Sequence, residues 1–210
     1  MKKELKIKVC GMKSPDNMAA VSTLPVDMLG FIFYPPSKRY IGNLLPKEGL
    51  RLFNTSKEKV GVFVNEKSEV VISFIKKFRL NSIQLHGDES PEYCRQLKST
   101  GIKAIKAFRV NETFDFKTTS VYLNAVDLFL FDTKAEQPGG TGKKFDWQIL
   151  ENYHYSTPFL LSGGIQPEDT GEIKQIGHPM LYGVDLNSGF EDEPGLKNIE
   201  KLEAFIKILK

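Results

Sequence analysis

The chain reads as an α/β protein built as a single (β/α)8 TIM barrel over residues 1–210, on three observations. Eight short runs rich in β-branched and aromatic residues recur along it, at 6–10, 28–33, 59–64, 82–86, 104–110, 127–132, 158–161 and 180–186. Their starts lie 22 to 31 residues apart, too wide for a sandwich or antiparallel barrel, whose strands follow each other at ~8–12 residues. The stretches between them carry apolar residues at helical spacing, so strands alternate with helices. Eight such units in 210 residues sit near the short end of the ~200 to over 400 residues that this barrel takes. A doubly wound open sheet is the alternative arrangement of the same units.

Each element has its own signature. In the first run, Lys6, Lys8 and Cys10 share one face while Ile7 and Val9 take the other, because side chains alternate along a strand. A helix is predicted over 68–78, where Val71, Phe74, Ile75 and Phe78 recur at helical spacing. A second is predicted over 91–97, with Ser90 in the N-cap position. The sixth run ends Leu128-Phe129-Leu130-Phe131-Asp132, which puts Asp132 on the same face as Leu128 and Leu130. The series closes on a helix starting near Asn198, whose Ile199, Leu202, Phe205, Ile206 and Leu209 line one face. Parity carries one further expectation. If Cys10 points into the barrel mouth, Lys8 lies on the same inward face one layer below, where its ammonium requires an acidic or polar partner.

Composition removes several classes of function. Hydrophobic residues make up 40% and charged residues 26%, with 17 Gly and 11 Pro in no regular period, so the chain is neither collagen-like nor disordered. A net charge of +3 from 29 basic and 26 acidic residues does not point to nucleic acid and suits a small anionic substrate. The longest uncharged apolar stretch, 28–34, is far below the ~20 residues of a membrane span. No secretory signal is evident, so a cytoplasmic address is expected. Under that address the N-x-S/T matches at 54–56 and 111–113 are chance. Cys10 and Cys94 belong to no CxxC or Cys/His pattern, so a zinc site is not expected.

In a (β/α)8 barrel the chemistry sits at the C-terminal ends of the strands, so the candidate residues are those that follow each run. Ser162-Gly163-Gly164-Ile165 after run seven and Asn187-Ser188-Gly189 after run eight stand where barrels commonly bind phosphate through backbone N–H groups. Cys10 ends run one and is either a base or nucleophile, active as thiolate, or a small buried hydrophobe. Cys94, within a helix, is read as packing. Asp132 ends run six and is either a general acid or an N-cap. Arg39, after run two, is either a planar guanidinium that pairs bidentately with a substrate carboxylate or a solvated surface residue. His86 is read as structural. Residues 139–144, Gly-Gly-Thr-Gly-Lys-Lys, match neither a P-loop nor GxGxxG and are read as a lid.

Taken together, Lys8-Val9-Cys10-Gly11, Gly30-Phe31-Ile32-Phe33-Tyr34, Ser37-Lys38-Arg39-Tyr40, Gln84-Leu85-His86-Gly87, Asp132-Thr133-Lys134, Leu161-Ser162-Gly163-Gly164-Ile165 and Val184-Asp185-Leu186-Asn187-Ser188-Gly189 resemble the phosphoribosylanthranilate isomerase family, in that family's order. Met12-Lys13-Ser14 and Asn187 depart mildly from its pattern. The resemblance implies a (β/α)8 barrel of tryptophan biosynthesis that performs an Amadori rearrangement without metal or organic cofactor. It implies Cys10 as general base, Asp132 as general acid, Arg39 on the anthranilate carboxylate, Gly163, Gly164 and Ser188 on the phosphate, and Asp185 on a sugar hydroxyl. The implied partner is a small phosphorylated sugar–anthranilate, with no nucleic acid and no membrane, bound by a monomer or homodimer. Another phosphosugar barrel enzyme and a non-catalytic phospholigand-binding barrel are the rival readings.

Overall fold

The computed structural model describes residues 4–42, 53, 55–133 and 144–210. Eight parallel strands close into a barrel in chain order: β1 Lys6–Val9, β2 Met28–Ile32, β3 Glu58–Phe63, β4 Ser82–Leu85, β5 Lys103–Val110, β6 Leu128–Thr133, β7 Phe159–Leu161 and β8 Leu181–Leu186. Each lies within one residue, at either end, of the run expected from sequence. β8 pairs directly with β1, Lys8 opposite Asp185 and Val9 opposite Leu186. That closure excludes the open sheet and brings the first and last strands of the chain side by side.

The helices expected over 68–78, over 91–97 and from near Asn198 form there, and two that periodicity did not mark join them. Helix α1, Pro15–Thr23, carries Pro in its first turn, where the missing N–H costs no hydrogen bond. Helix α2 is Ser68–Phe78, stopped by Arg79 in the left-handed conformation at φ 52°. Helix α3, Pro91–Lys98, is capped by the Ser90 hydroxyl, which accepts from the Tyr93 N–H. Helix α4 is the short Thr170–Gln175, and α5, Ile199–Leu209, is capped by Asn198 accepting from the Lys201 N–H.

Strict alternation fails after β5 and β6, where Phe116–Tyr122 and Trp147–Asn152 are 3₁₀ helices. In the first, Thr118 and Thr119 donate their hydroxyls to the carbonyls of Asp115 and Phe116. Such local bonds compete with the α-helical ladder. The sequence reading also missed a hairpin after β8, formed by β9 Glu191–Glu193 and β10 Leu196–Lys197 and turned at Gly195, whose φ of 92° suits only glycine.

Two apolar layers result. Ile7, Val9, Phe31, Phe63, Phe129 and Leu186 pack outward under the helices, whereas Met28, Val60, Ile105, Ala107, Leu128, Leu130 and Leu160 fill the barrel interior. Against that apolar filling, β1, β4 and β8 contribute the buried polar residues Lys8, Ser82, Gln84 and Asp185. Lys8, Gln84 and Asp185 stand in the C-terminal halves of their strands, toward the mouth, whereas Ser82 opens β4 at the other end. Among the described residues, no helix is long and apolar enough to cross a membrane.

Candidate active site

Cys10 ends β1 at the mouth, 4% exposed, with its backbone N–H bonded to the Leu186 carbonyl at 2.9 Å. Its thiol occupies space that only a glycine on β2 leaves open. A Cβ on Gly30 would stand 2.7 Å from Cys10 Sγ and 3.1 Å from Lys8 Nζ, so thiol and amine flank the same bare strand position. Lys8 is fully buried and its Nζ donates to Asp185 Oδ1 at 2.9 Å. The partner required by strand parity is thus a carboxylate on the neighbouring strand.

Burial pushes the Cys10 thiol above its ordinary range; the charge of Lys8 and its hydrogen bond, together with Lys197, pull the other way, while Asp185 adds to the rise. Burial also works against the Lys8 ammonium, but Asp185 and Cys10 outweigh it and its pKa stands raised. Lys8 therefore stays charged beside the thiol.

Across the mouth, Asp132 on β6 accepts the Thr133 N–H at Oδ1 (3.0 Å) and faces His86 Nε2 at Oδ2 (3.2 Å). Gln84 lies two residues before His86 at the end of β4, and its Nε2 is 2.8 Å from His86 Nδ1. An ionised carboxylate can only accept, so against it Nε2 is the donor, while the roles at Gln84 and Nδ1 follow the ring's tautomer. Asp132 and His86 are each about a quarter exposed, open to whatever enters the mouth. His86 is hydrogen-bonded at a strand end, as a structural histidine is expected to be, but Asp132 as its partner was not expected. Parity was the available signal, since a histidine two residues beyond an inward Gln at a strand end also points inward.

Arg39 crosses beside Gly11, where a Cβ would lie 2.7 Å from Arg39 Cδ and φ is +79°. Its Nε is 2.9 Å from Glu191 Oε1 and its Nη2 is 2.6 Å from Oε2. Lys197 Nζ reaches the same carboxylate at 2.6 Å and Asn187 Oδ1 at 2.8 Å. This network joins the ends of β1, β2 and β8. Burial opposes the Glu191 charge, but Arg39 and Lys197 hold its pKa below the usual carboxylate range.

The two glycine-rich ends abut each other. Gly163 and Gly164 have φ of 87° and 69°, and a Cβ on Gly163 would lie 2.3 Å from the Thr133 N and Oγ1. Ser188 opens a 3₁₀ turn, Ser188–Phe190, and a Cβ on Gly189 would meet the Ile165 carbonyl at 2.3 Å. Bare backbone therefore lines this corner of the mouth. The segment read as a lid, at 139–144, lies outside the described residues except for Lys144. Cys94 is fully buried and pushed up to about 11 by burial, an inert thiol in agreement with its packing role. No group of three or more His, Cys, Asp or Glu among the described residues is arranged to hold a metal ion.

The chain is similar to known proteins over nearly its whole length. The sequence pattern of the N-(5'-phosphoribosyl)anthranilate (PRA) isomerase family matches residues 7–208. An N-(5'-phosphoribosyl)anthranilate isomerase of Parabacteroides distasonis is 48% identical over 202 residues, covering 96% of this chain and 91% of that protein. Among solved structures, the phosphoribosyl anthranilate isomerase of Thermus thermophilus superposes with a TM-score of 0.84 at 28% identity, covering 98% of both chains. Another phosphoribosyl anthranilate isomerase, in complex with reduced 1-(o-carboxyphenylamino)-1-deoxyribulose 5-phosphate, superposes with a TM-score of 0.76 at 30% identity, again over 98% of both.

Proposed function

Because the chain belongs to the N-(5'-phosphoribosyl)anthranilate isomerase family, and is accordingly an isomerase of tryptophan biosynthesis, we propose that Cys10 is its general base and Asp132 its general acid. The observation that carries this reading is the placement of two proton carriers, a thiol beside a buried ammonium and a carboxylate held by His86, at the ends of β1 and β6 in one barrel mouth.

The chemistry balances with these two groups. Asp132 gives its proton to the ribose ring oxygen as the bond from that oxygen to C1 breaks, and the anthranilate nitrogen supplies the electron pair for a protonated Schiff base. Cys10 thiolate then removes the proton from C2, leaving an enolamine. Its tautomerisation moves the hydroxyl proton to C1 and gives the aminoketose, an isomer of the aldose, and proton exchange with solvent returns Cys10 to thiolate and Asp132 to the acid. The carboxylate left on Asp132 is met by two donors already in place, His86 Nε2–H and the Thr133 N–H. Arg39 is assigned to the anthranilate carboxylate, Gly163, Gly164 and Ser188 to the phosphate, and Asp185 to a sugar hydroxyl. A cytoplasmic enzyme of one or two copies, with the whole chain as one catalytic barrel, belongs to the same reading.

The direct test supplies N-(5'-phosphoribosyl)anthranilate to the purified protein and follows conversion to the aminoketose. Binding without conversion by a folded protein would favour the non-catalytic phospholigand barrel instead. For the acid, His86→Asn removes a hydrogen bond that strengthens as Asp132 becomes charged. Such bonds contribute roughly 1.5–3 kcal/mol, so kcat is expected to fall at least about tenfold with KM little changed. An unchanged kcat would leave His86 without a role in the acid step.

For the phosphate, Gly163→Ala adds a methyl group against the Thr133 backbone in a left-handed conformation, and Gly164→Lys adds a side chain where the donors are backbone amides. Both variants are expected to lose affinity for the phosphorylated substrate even though one gains positive charge. A crystal soaked in sulfate is expected to show the anion between residues 163–164 and 188; an anion elsewhere with this corner empty contradicts the assignment.

A further inference from the structure

Arg39 presents a difficulty for the proposed reading, because its charge already faces a carboxylate within the protein. Glu191 takes the Nε and Nη2 side of the guanidinium with contacts of 2.9, 3.0 and 2.6 Å. An isolated Arg–Glu pair is close to neutral and would hold a third charge weakly. Two features change that outcome. Guanidinium carries five N–H donors in a rigid plane, so a carboxylate on one edge leaves the other edge free for a second, end-on pair. Nη1 has no partner among the described residues. The second feature is Lys197, fully buried, with Nζ 2.6 Å from Glu191 Oε1. Burial pulls the Lys197 pKa below its ordinary value while Glu191 draws it back up; with Lys197 protonated, the cluster sets two cations against one anion and keeps a net positive charge at the mouth.

The frame around Glu191 is stiff. Its Oε1 also accepts the Gly195 N–H at 3.0 Å, at the turn of the β9–β10 hairpin. The backbone of Lys197 is fastened to α1 by two bonds with the Asn17 amide, each 2.8 Å. Glu191 is itself 4% exposed, whereas Arg39 is 13% exposed. A buried carboxylate held by several donors therefore grips a partly exposed arginine by its Nε and Nη2 edge.

We propose that Glu191 is a positioning residue for substrate recognition: it locks the Arg39 guanidinium by one edge, with Lys197 balancing its charge, so that the opposite edge is aimed at the substrate carboxylate. This rests on the assignment of Arg39 to that carboxylate. It makes the β9–β10 hairpin, which contributes no group to the proton transfers, part of the specificity for a carboxylated aryl amine.

The probes are reduced 1-(o-carboxyphenylamino)-1-deoxyribulose 5-phosphate and its counterpart lacking the carboxyl group, titrated into wild type, Glu191→Gln, Arg39→Met and the double variant. Glu191→Gln is expected to weaken the carboxylated probe more than about tenfold, to leave the other probe within about twofold, and to add nothing on top of Arg39→Met, since residues acting through one contact are not additive. Equal weakening of both probes, no weakening, or full additivity would each overturn the positioning role. If wild type and Arg39→Met instead bind the carboxylated probe alike, it is the assignment of Arg39 that fails. Should Glu191→Gln not fold, Glu191→Asp retracts the carboxylate by one methylene while keeping its charge, and the same pattern of affinities decides.

Discussion

Cys10→Ala is expected to lower kcat by ~10²- to 10⁴-fold while the phosphorylated substrate still binds, because a positioned proton carrier contributes about that much. Asp132→Asn is expected to do the same from the acid side, since an amide keeps the shape and loses the transferable proton. Steady-state kinetics on folded variants check both, and near-normal kcat in either removes that residue from the mechanism. The wild-type pH profile carries the matching signature. The base acts as thiolate, and burial holds the Cys10 thiol above its ordinary value, so kcat/KM rises with pH over a limb governed by that group. In Cys10→Ala this limb should vanish.

Lys8→Met is expected to produce the largest loss of stability. Its Nζ and the Asp185 carboxylate form a pair 0% and 4% exposed at 2.9 Å, and removing one partner of such a pair typically costs about 3–5 kcal/mol because the other charge is left buried. Thermal or urea unfolding measures it, and an unchanged midpoint would show that the pair contributes nothing. Lys8→Met combined with Asp185→Leu should recover much of the loss, since no orphan charge remains. The single variant also tests whether Lys8 tunes the base. Lys8 lowers the Cys10 pKa and Asp185 raises it, so losing the amine moves the rising limb of kcat/KM to higher pH. A folded Lys8→Met with an unmoved limb would make Lys8 purely structural.

The strands and most helices were legible because their signals are local. Alternation along β1, the heptad-like face of α5 and the Ser90 cap of α3 depend on neighbours a few residues away, and each appeared where expected. The Lys8 partner was legible as a need, since strand parity buried the amine, but its identity was not. The 3₁₀ segment after β5 escaped because periodicity does not distinguish a tight helix from an α-helix where Thr118 and Thr119 hydroxyls bond the nearby carbonyls; the one after β6, Trp147–Asn152, has no such hydroxyls and its tightness has no local explanation.

By itself the sequence determined the barrel's units and the order of its motifs, and it singled out Cys10 and Asp132 as strand-end candidates. Only the tertiary structure decided how those residues are supported. Asp185 meets Lys8 across 177 positions of chain because the barrel closes β8 onto β1. Glu191 meets Arg39 across 152 positions because the hairpin after β8 folds back over the end of β2. His86 meets Asp132 across the mouth from β4 to β6. Periodicity and capping report on the chain within one element, whereas the partner of a buried charge is set by which elements closure brings together and by the cost of leaving that charge unpaired.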